Sequence, residues 1–284
     1  MVGRMLSQKW IWAAAGALVF ASVLAAQMPW RVYRSLEGYD DVAVPADYNV
    51  ASDWVFARLM YPPHPRSRFR TFADWHYGGT SWSQDYPRAD RHFAQALRRL
   101  TTMDVRSVEQ PVNLDDGDDV YNWPWLAAGE MGDWKLTDAQ AAKLRDYLLR
   151  GGFLYLDDFW NTAEWERFDE SMRAVFPDRP IVDIPNQDAI FHTVYDLNDR
   201  FQILGSWAIG LCGQGGFGQA DRWIGTHAQW KGIYDDHNRL MVAMTFNSDV
   251  GDSWEWADVP CYPEKFSSLG IKLGVNYVTY DLTH

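Results

Sequence analysis

The sequence predicts an α/β protein: a doubly wound, mostly parallel sheet flanked by helices. Three consecutive stretches carry that expectation. "WPWLAAGE" (123–130) reads as a short apolar strand, and "LTDAQAAKLRDYLLRGG" (136–152) as a helix with both ends marked. "FLYL" (153–156) follows at once and is apolar at all four positions, as a strand covered on both faces requires. A strand, helix and strand so closely spaced imply a right-handed parallel crossover.

The other elements extend this unit. Residues 27–52 read as a polar connector without periodicity. "WVFARLMYPP" (54–63) is a strand stopped by a proline pair. In "DYPRADRHFAQALRRL" (85–100) Pro87 suits a first helical turn, and Phe93, Leu97 and Leu100 share one face. "VRSVEQPVNL" (105–114) reads as a strand and "DDGDD" (115–119) as a solvated turn. In the helix over 136–152, Thr137 and Gln140 have capping-box spacing, and Leu136 can staple onto Ala141. Gly151 or Gly152 can supply its left-handed terminus. "TAEWERFDESMRAVF" (162–176) is a further helix with Thr162 as its cap. "PIVDI" (180–184), "IFHTVY" (190–195) and "RLMVAMTF" (239–246) read as strands, "GLCGQGGFG" (210–218) as a loop, and residues 264–280 as a closing helix. The expected organisation is one α/β domain over residues 54–284 behind the connector.

The N-terminus indicates export. Arg4 and Lys9 precede an uncharged run from Trp10 to Ala26, and Val23 and Ala25 suit a signal-peptidase site. Residues 1–26 therefore read as a signal peptide or an N-terminal membrane anchor, with the body periplasmic or otherwise extracytoplasmic. Membrane contact is expected only through residues 10–26. In an oxidising compartment Cys212 and Cys261 are the candidate pair for one disulfide, and neither has the CxxC spacing of a zinc or redox motif. The net charge of −12 argues against a nucleic-acid partner. The 16 Trp, 14 Tyr and 14 Phe suit thick packing first, and a saccharide or peptide surface second.

In open α/β sheets ligands bind beyond the carboxyl ends of the strands. The strand assignments place a crevice near Tyr61, Gln110, Gly129–Glu130, Asp157–Asp158 and Asn247–Asp249. Asp157, Asp158 and Glu130 are the catalytic candidates. Tyr61, Trp160, Asn247, Asp249 and Asp252 join them as pocket candidates. The competing reading is that the aspartates cap a helix or bind loop amides. Adjacent residues of a strand point to opposite faces, so Asp157 and Asp158 do not by themselves form an acid pair; one faces the crevice and the other fastens the loop. "FNSDVGDSWEW" (246–256) lacks EF-hand spacing and reads as a crevice-lining loop. "GLCGQ" around Cys212 lacks the second glycine of a nucleophile elbow. His192, inside an apolar run, reads as a core histidine. No cofactor is expected, a divalent cation on the carboxylates being the one alternative.

Several blocks, "FARLMYPP" (56–63), "DYPRADRHF" (85–93), "VEQPVNLDD" (108–116), "GGFLYLDDFW" (151–160), "IFHTVYDL" (190–197), residues 230–258 and "LGVNYVTY" (273–280), resemble the bacterial domain-of-unknown-function family 4159. The resemblance runs from about Trp54 to the C-terminus. It implies a class I glutamine amidotransferase-like, flavodoxin-like fold, and residues 125–158 also resemble the trehalose-utilisation branch of that superfamily. The superfamily's nucleophilic cysteine would follow "FLYL", where this chain has Asp157-Asp158-Phe159, so the triad does not carry over. Neighbouring genes for MoxR-type ATPases and von Willebrand-type proteins, common in the family, imply an assembly role. The expected function is an exported or tethered, non-catalytic binding or assembly domain of the envelope. The alternative is a carboxylate-dependent, metal-assisted hydrolase of a saccharide or cell-wall substrate.

Overall fold

The computed structural model describes residues 28–39, 41–67, 73–210, 212 and 227–284. The expected signal or anchor, residues 1–26, lies outside them, as does most of the 210–218 loop. Among the described residues no helix is long and apolar enough to cross a membrane.

The crossover unit forms as the sequence dictates. β3 (Trp125–Ala128) leads to α2 (Asp138–Leu149), which returns to β4 (Phe153–Phe159), and β4 lies parallel to β3 in register from Trp125↔Phe153 to Ala128↔Leu156. The capping box of α2 is closed on both sides. Thr137 Oγ1 accepts from the Gln140 amide at 3.2 Å, and Gln140 Oε1 accepts from the Thr137 amide at 3.0 Å. Gly151, at φ 114°, makes the exit into β4.

The sheet has seven strands in the order β2-β1-β3-β4-β7-β6-β5. β1 (Ala57–Met60), β2 (Gln110–Asn113), β3, β4 and β7 (Leu240–Phe246) are mutually parallel. β6 (Gln229–Tyr234) and the two-residue β5 (Val182–Asp183) add an antiparallel edge. The result is a mixed sheet of the α/β class with helices on both faces. Alternation along β4 assigns the faces. Leu154 and Leu156 join Ala141, Leu144, Phe168 and Met172, on α2 and α3 (Asn161–Val175). Phe153 and Tyr155 join Phe93, Trp254, Leu273 and Tyr277, on α1 (Arg88–Leu100), α5 (Val250–Glu255) and α6 (Glu264–Thr283).

The second face is packed to contact. A Cβ on Gly274 of α6 would fall 2.4 Å from the Phe93 ring, which itself stacks on Trp254 at 4.4 Å. Gly274→Ala is therefore expected to cost about 1–3 kcal/mol, the usual toll of overpacking a filled core, read as a lower denaturant midpoint at unchanged slope.

Several expectations are corrected. Residues 190–195 form no strand: a 3-10 turn over Ala189–Phe191 opens a loop, because Asp188 caps the Ile190 amide and Asn276 Oδ1 accepts from the Val194 and Tyr195 amides. His192 is consequently a turn residue on Asp196 Oδ1 and the Asn186 carbonyl, rather than a core histidine. α3 starts at Asn161 with Trp160 in the cap position, so Thr162 is no cap; Glu164 Oε2 reaches back to the Trp160 amide at 2.7 Å. Residues 250–255, expected as loop, form α5, and β6 is a further strand without a sequence forecast. The strand expected over 105–114 is only Gln110–Asn113, which moves Gln110 to the amino end, away from the crevice. The expected connector is bound into the body: Arg34 bridges to Gly78, and Glu37 accepts from Gln84 Nε2 at 2.6 Å and from the Asp85 amide at 3.0 Å.

Cys212 and Cys261 form a disulfide, with Cα atoms 5.3 Å apart. It ties the segment after α4 (Ser206–Ile209) to the stretch between α5 and α6.

A buried carboxylate cluster at the carboxyl edge of the sheet

The carboxyl ends of β1, β3, β4 and β7 open on one edge, and four chain reversals there place non-glycine residues in the left-handed region. These are Asp85 (φ 58°), Glu130 (φ 53°), Asp158 (φ 49°) and Asn247 (φ 57°). Such conformations cost energy locally and concentrate where a site over-determines them.

At the end of β4 the ladder slips. Leu156 pairs with Met244 but Phe159 with Phe246, so three steps of β4 match two of β7. The extra residue is a bulge at Asp157–Asp158, and it returns Phe159 to the face of Leu156. The two aspartates then part company. Asp157 Oδ2 accepts from the Gly251 amide in the first turn of α5 at 2.7 Å, while its Oδ1 is buried without a hydrogen-bond partner. Asp158 Oδ1 accepts from the indole of Trp160 at 2.5 Å, inside its own loop. Asp157 thus lines the small cleft at this edge with Arg58, Asp85, Gly129 and Gly251.

The remaining sequence candidates divide between this cluster and its frame. Asp249 caps α5, accepting from the Asp252 amide at 2.8 Å, and Asp252 Oδ2 accepts from the Ser206 amide at 2.5 Å. Both face the cluster. Tyr61, fully buried, donates its hydroxyl to the Gly129 carbonyl at 2.7 Å and holds the turn at Glu130. Asn247 Oδ1 accepts from the Asn161 amide at 2.9 Å and fixes the start of α3. Trp160, fully buried, is a packing and loop residue. Glu130, itself buried, belongs to the turn that Tyr61 holds.

Two members, Glu37 and Asp85, escaped sequence reasoning, and a third, Glu255, was read only as part of the crevice-lining stretch 246–256. Glu37 comes from the connector, Asp85 from the turn ahead of α1, and Glu255 from the last position of α5. One oxygen from each of Asp85, Asp249 and Asp252 lies within 4.8 Å of the others, and Glu37, Asp85 and Glu255 form a second such group sharing Asp85. The left-handed Asp85, two positions ahead of Pro87, had a sequence signal in "DYP", and Glu255 lay in the acid-bearing stretch 246–256; Glu37 had none. The Asp85 carboxylate accepts no hydrogen bond among the described residues. Both oxygens of Glu255 are buried without a hydrogen-bond partner, although Tyr39 and Glu37 are near enough to perturb it.

Crowding like charges in a dry site raises their pKa values. Burial first, then Asp158, pushes Asp157 well above the usual carboxylate range. Burial followed by Asp158 and Asp252 does the same to Asp249, and burial followed by Asp252 and Glu37 to Asp85. Glu255 is raised by burial, then by Asp85 and Asp252. Glu37 is pushed up to about 7, by burial and by Asp252. Arg58 is the cation that lowers Asp85, but it is already committed. Its Nε donates to Asp90 Oδ2 at 2.8 Å, its Nη2 to Asp90 Oδ1, and its Nη1 to the Trp82 and Gln84 carbonyls.

No thiol, hydroxyl–imidazole pair or other nucleophile–base couple stands among these carboxylates in the described residues. The arrangement holds oxygen donors and protonatable acids only. A family model described as "Domain of unknown function (DUF4159)" matches residues 71–282, covering the carboxyl ends of β3, β4 and β7 and every carboxylate of the cluster except Glu37. No curated protein matches the chain.

Proposed function

The chain belongs to the DUF4159 family, and we propose that it is an exported or membrane-tethered binding domain of the cell envelope, built on an amidotransferase-like fold without amidotransferase chemistry. One observation carries this reading. The end of β4, where the resemblance would put a nucleophile, presents the bulged Asp157–Asp158 pair, and their neighbours are further acids. Such a site recognises ligands by charge and hydrogen bonding and has nothing with which to form an acyl-enzyme. The apolar run at residues 10–26 and the disulfide support an address outside the cytoplasm.

Glutamine hydrolysis is expected to be absent when purified full chain is assayed for ammonia release; measurable turnover would sink the proposal. Immobilised full chain is expected to retain a defined envelope protein or saccharide from bacterial membranes, and Asp157→Asn to lose it. Retention of nothing, or equal retention by the variant, counts against the site.

A second reading is favoured by Asp157, whose orphaned oxygen and raised pKa suit a general acid. In that reading the domain is a carboxylate-dependent hydrolase of a saccharide or cell-wall polymer. Turnover of peptidoglycan fragments that Asp157→Asn abolishes and Asp158→Asn spares would select it over pure binding.

A further inference from the structure

Among the described residues the one cation that lowers Asp85, Arg58, is already engaged by Asp90, and the carboxylates of the cluster outnumber it. Asp85, Asp249 and Asp252 are all buried, with relative exposures of 5%, 7% and 3%, and each points one oxygen at the same small volume. Asp249 and Asp252 use backbone amides to fix their orientation, which leaves charge rather than geometry unsatisfied. Asp252 Oδ1 also accepts from the Trp256 indole at 3.2 Å, but neutral donors do not balance several carboxylates taken out of water together, which is among the costlier arrangements in a protein interior.

Two further observations point to a missing positive ligand. Asp157, 3% exposed, lines the cleft with Asp85, and its Oδ1 is buried without a hydrogen-bond partner. Glu255, fully buried, has both carboxylate oxygens unpartnered, and it belongs to the second donor group through Asp85. The cleft has a volume of about 20 Å³, room for one water or one ion beside these carboxylates.

We propose that Asp85, Asp249 and Asp252 bind a hard divalent cation of the Mg²⁺, Mn²⁺ and Ca²⁺ class, with Asp157, Glu37 and Glu255 completing the anionic surround. The donor atoms are all carboxylate oxygens, without the imidazole or thiolate that would select zinc or copper. Gly251 matters to the same site. A Cβ there would fall 2.5 Å from Asp85 Oδ2, so the first turn of α5 leaves the space for the Asp85 oxygen. This inference deepens the reading of the edge as a ligand site, but it is tested on the isolated protein and does not depend on any envelope partner.

The full chain, stripped with EDTA and dialysed, would be titrated with Mn²⁺ and with Ca²⁺ by calorimetry, and the bound Mn²⁺ read by its electron paramagnetic resonance spectrum. Saturable binding is expected, with affinity falling by more than about 100-fold in Asp249→Asn/Asp252→Asn. Asn caps a helix as well as Asp does, so Asp249→Asn alone keeps the start of α5 and serves as the folding control. In EDTA that single variant is expected to melt above the wild type, since a repelling charge is gone, and to gain less from added cation. Absence of binding at millimolar cation, binding unchanged in the double variant, or an Asp249→Asn that melts lower than wild type in EDTA would each overturn the proposal. Retention of an envelope ligand by a protein that binds no cation in the titration would leave the binding reading intact while removing this one.

Discussion

Arg58→Met is expected to destabilise the protein by about 3–5 kcal/mol, the cost typical of breaking a buried ion pair by deleting one partner. Asp90 is fully buried, and Arg58 is only 6% exposed, so neither charge is repaid by water. Arg58 meets Asp90 through two guanidinium nitrogens and also caps the Trp82 and Gln84 carbonyls. Methionine fills similar volume but leaves four acceptor oxygens without the Arg58 donors. The same change removes the cation that moderates Asp85, so repulsion within the cluster rises as well. Urea unfolding at neutral pH measures the loss. Arg58→Met/Asp90→Leu, which removes both charges, should recover most of it, because the penalty comes from the stranded carboxylate and not from missing attraction. A single-variant loss below about 1 kcal/mol would mean that Asp90 is not held as an anion by Arg58.

Stability in EDTA is expected to fall as pH rises from about 4.5 to about 8. The folded pKa of Glu37, about 7, lies above its ordinary value of 4.5, so across that interval the folded state holds more protons than the unfolded one. A group of this kind stabilises fully below its unfolded pKa, and the contribution disappears as pH passes its folded pKa. Glu37 alone accounts for on the order of 3 kcal/mol. Asp85, Asp157, Asp249 and Glu255, raised by the same burial and repulsion, slope in the same direction. The groups facing Glu37 are Tyr39 on its own segment, Gln84 and Asp85 ahead of α1, and Asp252 and Glu255 on α5, with Arg58 acting on Asp85. Asp178, held down to about 2 by Arg145, has the opposite sign but acts below this window. Denaturant midpoints at about pH 5, 6.5 and 8 would show the trend, and a flat or rising profile in EDTA would contradict it. Excess divalent cation should flatten or invert the profile, because the cation competes with those protons.

Local signals were legible where short-range physics is decisive. The capping box at Thr137 and Gln140, the glycine exit at Gly151 and the four apolar positions of "FLYL" specify the crossover before any tertiary contact forms. The long helix from Glu264 was visible in the same way. Misreadings fell where side-chain traffic overrides propensity. Residues 190–195 carry β-branched and aromatic residues, yet Asn276, from the last helix, takes their amides and leaves no ladder to join. α5 looked like a loop because its acids and glycine favour turns; its burial against α1 and α6 makes it a helix.

By itself the sequence determined the α/β alternation, the parallel strands at the centre of the sheet, and the placing of Asp157, Asp158, Asp249 and Asp252 close to the carboxyl ends of strands. Periodicity and capping are written within a few residues of where they act, so they can be read there. Only the tertiary structure decided which acids meet. The bulge at Asp157–Asp158 sends one carboxylate to the cleft and the other to Trp160, and a strict two-residue alternation cannot show a one-residue slip. Glu37, Asp85 and Glu255 arrive from three separate segments, brought to one point by the closure of α1, α5 and the N-terminal strap over the sheet edge. That convergence depends on long-range packing, which no local pattern encodes.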